Sequence, residues 1–271
     1  MIDRVYTRNK PLLTIKNLNL EFDGNKILRD INVQILDINR DSHNQGQIVS
    51  LLGPSGIGKT QLFRCIAGLN KPSSGEILVT EDQHPVHSGD VGFVFQHYPL
   101  LQHRTVMSNL VIAAEANNKT KEECKTLLES FGLLDKANHY PSQLSGGQRQ
   151  RVSIIQQFLC SDHFVLMDEP FSGLDVVSKE KIMHQIVKVA GMHDHNTFVL
   201  TTHDIEAAVE ISDTIWILGR DRDEKGQIIP GARIVKEICL IDEGITWSKN
   251  VREHPKFHEI CEKIHKLFAS L

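Results

Sequence analysis

Short runs of β-branched and aliphatic residues alternate with longer stretches of helical periodicity along this chain. That alternation predicts a largely parallel sheet covered by helices, an α/β fold. The runs Gln47–Leu52, Val91–Phe95, Phe164–Met167, Thr197–Leu200 and Thr214–Leu218 read as strands. Phe164-Val165-Leu166-Met167 is apolar without alternation, as expected of a strand buried on both faces. Strand signals vanish between residues 97 and 160. There Thr105 precedes a helical stretch, Thr120 with Glu123 forms a T-x-x-E capping box, and a further helix starts after Ser145. This predicts a mostly helical subdomain at about 97–160, inserted into a core of about 1–96 and 161–240, with a helical tail at about 250–271. In the tail, Phe257, Ile260, Cys261, Ile264, Leu267, Phe268 and Leu271 fall at helical spacing; that stripe is expected to pack on its own domain rather than dock a partner.

Composition narrows the class. With 271 residues, 40% of them hydrophobic and 24% charged, the chain is an ordinary globular protein, and a formal net charge of −4 argues against nucleic-acid binding. Cys65, Cys124, Cys160, Cys239 and Cys261 are dispersed, without a C-x-x-C pair, and read as reduced thiols. No apolar run reaches the ~18–20 residues of a membrane span, and the N-terminus does not read as a signal peptide. Any service to a membrane is therefore expected through a partner. Neither His193/His195 nor His254/His258 comes with a third ligand, so these histidines read as surface residues.

The candidate chemistry begins with Gly53-Pro54-Ser55-Gly56-Ile57-Gly58-Lys59-Thr60, which fits G-x-x-x-x-G-K-[ST] between the strand QIVSLL and a helix. Its glycines let backbone N–H groups turn inward around phosphate oxygens, and the helix N-terminus adds partial positive charge. Lys59 would supply a point charge to the β- and γ-phosphates and Thr60 a hydroxyl to Mg²⁺. Asp168 and Glu169 end a buried strand, where open α/β sheets bind ligands. Asp168 suits a Mg²⁺ shell and Glu169 the activation of a water. Leu144-Ser145-Gly146-Gly147-Gln148 is a second glycine-rich helix start, with Ser145 as its cap.

GPSGIGKT, LSGGQRQRV, FVLMDEP, SGLD and TTHD, in this order over roughly residues 12–220, resemble the ABC (ATP-binding cassette) ATPase family. The resemblance implies a P-loop NTPase (RecA-like) core with an inserted, mostly helical signature subdomain. 

The resemblance further implies a head-to-tail pair of cassettes with ATP sandwiched between them, expected as a homodimer of this chain. Each ATP would lie between the P-loop of one copy and Ser145, Gly146, Gly147 and Gln148 of the other. By the same resemblance Gln96 is the glutamine that reaches toward Mg²⁺ and the water, His203 contacts the γ-phosphate and holds Glu169, and Asp175 links the two sites. Gln61 falls among the residues of the phosphate site. Phe22 falls where the family stacks an aromatic on adenine, with plain core packing as the open alternative.

The implied activity is hydrolysis of ATP, with Mg²⁺, to drive a separate membrane permease from the cytoplasmic face of the inner membrane. An external solute-binding protein would join through the permease. FQHYPLLQHRTVMSNL and LSGGQRQRV resemble the ATPases of bacterial importers, and the short tail is similar to that of importer ATPases serving nitrate, sulfonate, taurine and related small solutes. The alternative is a non-transport ABC ATPase, such as a membrane-associated cell-division module. Three departures from the family pattern stand out: Gln61 after GKT, Gln156-Gln157 in the helix after LSGGQ, and a longer LDINRDSHNQGQ before the P-loop strand.

Overall fold

A computed structural model describes residues 6–40, 46–95, 99–161, 164–191, 196–246 and 250–271. In chain order the strands are β1 (Tyr6–Phe22), β2 (Asn25–Arg40), β3 (Gln47–Leu52), β4 (Ser74–Val79), β5 (His84–Pro85), β6 (Gly92–Val94), β7 (Phe164–Asp168), β8 (Thr197–Thr202), β9 (Thr214–Gly219) and β10 (Arg233–Cys239). The helices are α1 (Lys59–Ile66), α2 (Val106–Glu115), α3 (Lys121–Ser130), α4 (Gly146–Cys160), α5 (Val176–Ala190), α6 (Ile205–Ile211) and α7 (Pro255–Ser270).

Two sheets organise the chain. The first has the order β10-β9-β3-β8-β7-β6, parallel from β9 to β6 and closed at one edge by antiparallel β10. It contains all the strands expected from the sequence. The second, β2-β1-β4-β5, is antiparallel and was not expected. Its two long strands join through Asp23-Gly24, both at positive φ (49° and 80°), the geometry a two-residue hairpin turn requires. The long LDINRDSHNQGQ segment is in part the far end of β2, paired with the start of β1; residues 41–45 lie outside the described set.

Neighbouring residues of the parallel strands serve opposite cores, which is why those runs do not alternate. On one face Val49, Leu51, Leu166 and Val199 join Leu13, Ile15 and Leu20 of the antiparallel sheet around Leu62, Phe63 and Ile66 of α1. On the other, Ile48, Val165, Met167 and Leu200 pack with Leu110 of α2, Leu128 of α3, Ile155 of α4 and Ile186 of α5. The helical region thus shares one continuous core with the sheet.

Local signals place the helix starts. Thr120 and Glu123 form both bonds of the capping box, and Thr105 caps α2 through the Ser108 amide. The tail helix α7 buries Phe257, Ile260, Cys261 and Ile264 against Ile205, Val209, Ile217 and Leu240, so its stripe packs on its own fold. Among the described residues, no helix is long and apolar enough to cross a membrane.

Candidate nucleotide site

The loop 53–58 leaves the C-terminal end of β3 and opens α1, so its amides lie at a helix N-terminus. Two glycines are fixed by geometry. A Cβ on Gly53 would stand 2.8 Å from the Leu218 carbonyl oxygen. Gly58 sits at φ 119°, and a Cβ there would meet the Leu28 side chain at 3.1 Å. Pro54, Ser55 and Gly56 are exposed, Ile57 is half-buried against the core below, and Thr60 is exposed in the first turn of α1. A Cβ at Gly56 would meet nothing within 4 Å, so the rim of the loop is open.

Lys59 is the buried cation of this loop, only 6% exposed. Its Nζ donates to the carbonyls of Gly53 (2.7 Å) and Pro54 (3.3 Å) and pairs with Glu169 Oε1 at 3.2 Å. The other Glu169 oxygen, Oε2, lies 3.0 Å from His203 Nδ1. Lys59, Glu169 and His203, from three separate segments, therefore form one connected group at the C-terminal ends of β3, β7 and β8.

Glu169 holds φ at 50°, a left-handed backbone that costs a non-glycine residue ~1–2 kcal/mol. The surroundings hold it there. Its N–H donates to Thr201 Oγ1 (2.8 Å), and the same hydroxyl donates to Asp168 Oδ1 (2.7 Å). Thr201 is fully buried and ties the Glu169 backbone to the Asp168 carboxylate through one atom. Nothing marked it in the sequence except its place in TTHD, where only His203 carries an expectation. Gln150 of α4 donates to the Pro170 carbonyl, which ties the signature helix to the turn after Glu169. Asp204 caps α6 at the Ala207 amide and pairs with Lys179 at 2.7 Å. Burial pushes the Asp204 carboxyl up, but the Ala207 amide and the Lys179 ammonium outweigh it and hold it below its ordinary value.

The remaining expected residues divide as follows. Phe22 is 44% exposed at the end of β1, which removes core packing as the reason for it. Ser145 accepts from the Gln148 amide while Gln148 Oε1 accepts from the Ser145 amide, a capping box that opens α4 with Gly146 exposed and Gly147 half-buried. These four share no hydrogen bond with the Lys59–Glu169–His203 group among the described residues. Asp175 caps α5 through Ser178, whose hydroxyl and amide hold its carboxyl below the ordinary range. Gln96 lies outside the described residues.

Two departures acquire partners. Gln61 accepts from Asn70 Nδ2 at 2.9 Å, so its amide oxygen is engaged with the turn beyond α1. Gln157 accepts the Phe93 amide at 3.1 Å, satisfying a donor on edge strand β6. His254 caps α7 at the Lys256 amide and His258 packs edge-on against Phe257, both structural roles. His193 and His195 lie outside the described residues.

The donor set fits Mg²⁺: a hydroxyl at Thr60 and a carboxylate at Asp168 are the hard oxygen ligands that ion takes beside a phosphate-binding loop.

The chain matches the family described as ABC transporter over residues 39–172. It is 37% identical over 222 residues to a sulfate/thiosulfate import ATP-binding protein of Synechocystis, covering 79% of this chain and 59% of that protein. It is 36% identical over 214 residues to a spermidine/putrescine import ATP-binding protein of Spiroplasma citri, covering 76% and 59%. The chain thus spans about three fifths of the length of these relatives. Among solved structures it resembles an ATP-binding cassette determined as a dimer in a post-hydrolysis state with ADP and Pi, at 26% identity and a TM-score of 0.65, covering 84% of this chain and 98% of that one. The expected nitrate, sulfonate and taurine subgroup is corrected by these names, which are those of sulfate/thiosulfate and spermidine/putrescine importers. The chain has the fold of the ABC family's ATP-binding cassettes and is similar in sequence to that family's import ATP-binding proteins.

Proposed function

We propose that this chain is the ATP-hydrolysing subunit of a small-solute importer, working on the cytoplasmic side of a membrane with a separate permease. The observation that carries the reading is the connected Lys59–Glu169–His203 group beside the phosphate loop, with spacings of 3.2 and 3.0 Å. The import functions named for the relatives support the transport part.

ATP would enter with its phosphates on the loop amides and Lys59. The ammonium would exchange its bonds to Gly53, Pro54 and Glu169 for phosphate oxygens, which frees Glu169 Oε1. Glu169 would then accept a proton from the water that attacks the γ-phosphorus as the bond to ADP breaks. His203 would hold the second carboxylate oxygen. Mg²⁺, held by Thr60 and Asp168 with Gln96, would supply charge neutralisation on the phosphates.

Two copies would pair head-to-tail, so that Ser145, Gly146, Gly147 and Gln148 of one face the nucleotide of the other, with Phe22 against its adenine. The exposed Gly146 at the N-terminus of α4 suits that role: an anion in trans would meet the Gly146 and Gly147 amides there, beside those of Ser145 and Gln148 that the capping box holds. The solute would be chosen by the permease and an external binding protein.

Mixing two inactive variants tests both parts. Lys59→Ala and Ser145→Arg copies each spoil every site of their own dimers. A mixed dimer carries both defects in one site and leaves the other intact. Mixing at equal amounts should therefore restore roughly a quarter of the wild-type ATP turnover, by random pairing of a two-fold dimer. Silence on mixing, with both variants folded and able to pair, would refute the shared site.

A further inference from the structure

We propose that His84, His87 and Asp90 form a binding site for a divalent transition metal such as Zn²⁺, on the edge of the antiparallel sheet and apart from the nucleotide loop. Among the described residues these three bring one ligand atom each to within 4.8 Å of one another. His84 Nε2 is 3.1 Å from Asp90 Oδ2, and His87 Nδ1 is 3.6 Å from the same oxygen. A tetrahedral ion with bonds of ~2.0–2.1 Å needs donor separations of about 3.3 Å; the two separations from Asp90 bracket that value, and the two imidazoles start within 4.8 Å of each other.

The ligands are held before any ion arrives. Asp90 Oδ2 accepts the His87 amide at 2.7 Å, and the Asp90 amide returns a bond to the His87 carbonyl at 3.2 Å. The turn packs hard on the backbone after α1: a Cβ on Gly68 would stand 2.6 Å from the His87 carbonyl carbon. Behind His84, its Nδ1 faces Thr80 Oγ1 at 3.1 Å and Asp82 Oδ1 at 3.4 Å. A carboxylate behind a ligating imidazole orients the ring and raises its basicity, the outer arrangement common to metal-binding histidines.

Chemistry selects the metal class. Two imidazoles and one carboxylate suit Zn²⁺, Ni²⁺ or Cu²⁺, whereas Mg²⁺ and Ca²⁺ prefer oxygen donors. His87 is 74% exposed and His84 35%, which leaves a coordination position open to water or another ligand.

The test is a titration of the full chain with Zn²⁺ alone, by calorimetry and by the histidine ring signals in NMR. His84→Gln, His87→Gln and Asp82→Asn variants are run beside the wild type, with Mg²⁺ as a control. Wild type should bind one Zn²⁺ equivalent that shifts the His84 and His87 signals, and Mg²⁺ should not shift them. Either histidine variant should weaken that equivalent by tenfold or more, and Asp82→Asn by about tenfold. Equal affinity and stoichiometry in wild type and both histidine variants would overturn the proposal, including the case where Zn²⁺ settles at Glu169 and His203. Wild-type His84 and His87 signals that ignore Zn²⁺ would overturn it without any variant.

Discussion

Thr201→Val replaces one hydroxyl by a methyl at a fully buried position and removes both bonds that tie the Glu169 amide to the Asp168 carboxylate. The Glu169 amide loses its acceptor, which costs ~1–3 kcal/mol for a buried donor, and Asp168 loses a charge-assisted bond worth ~1.5–3 kcal/mol. The added methyl returns about 0.8 kcal/mol. The net loss should be about 2–5 kcal/mol, read as a lower midpoint at unchanged slope in urea unfolding. Glu169 would also lose the anchor of its left-handed backbone, so ATP turnover should fall ~10–100-fold, with each factor of ten equal to 1.36 kcal/mol. Thr201→Ser keeps the hydroxyl and should retain most of the turnover. A valine variant within about 0.5 kcal/mol of wild type, or one as active as the serine variant, would refute the assignment.

Gly58→Ala places a side chain at φ 119° against Leu28; it should cost on the order of 2 kcal/mol and abolish binding of a fluorescent ATP analogue. Ser145→Ala removes the α4 cap and should lower stability by ~1 kcal/mol in thermal melts. Its copies should still bind ATP as monomers, and loss of that binding would count against a trans role. Asp221 is held below its ordinary pKa by Arg233 and Arg29. Its stabilising effect is therefore present above the unfolded carboxylate pKa and lost as pH falls through the folded one. Asp221→Asn should narrow the stability gap between neutral and acid pH in urea melts.

The parallel strands and the helix caps were legible because their signals are local. FVLM is an unbroken apolar run, QIVSLL is mostly aliphatic, and Thr120 with Glu123 needs only four residues to form its box. The antiparallel sheet was not, because its alternation is interrupted: Leu13 and Ile15 are in phase, a register shift intervenes at Asn17 with φ 49°, and Leu18 and Leu20 resume on the other parity. The His84–Asp90 grouping begins on β5, the edge strand of that sheet, and closes through a turn whose His87 and Asp90 backbones bond to each other. Thr201 was hidden differently. A buried threonine in a strand reads as ordinary sheet composition, and its bonds to two consecutive acidic residues arise from the pairing of β7 with β8.

The central claim, that Glu169 activates the water in an ATP site shared by two copies, is tested most directly by Mg²⁺-dependent ATP turnover of wild type and Glu169→Gln, with mass read by light scattering in the same samples. The account predicts turnover by wild type, a loss of ~100-fold or more in the variant, and an ATP-bound dimer of the variant that persists because the nucleotide is not cleaved. Equal turnover by the two proteins, or a variant that binds ATP and stays monomeric, would contradict it.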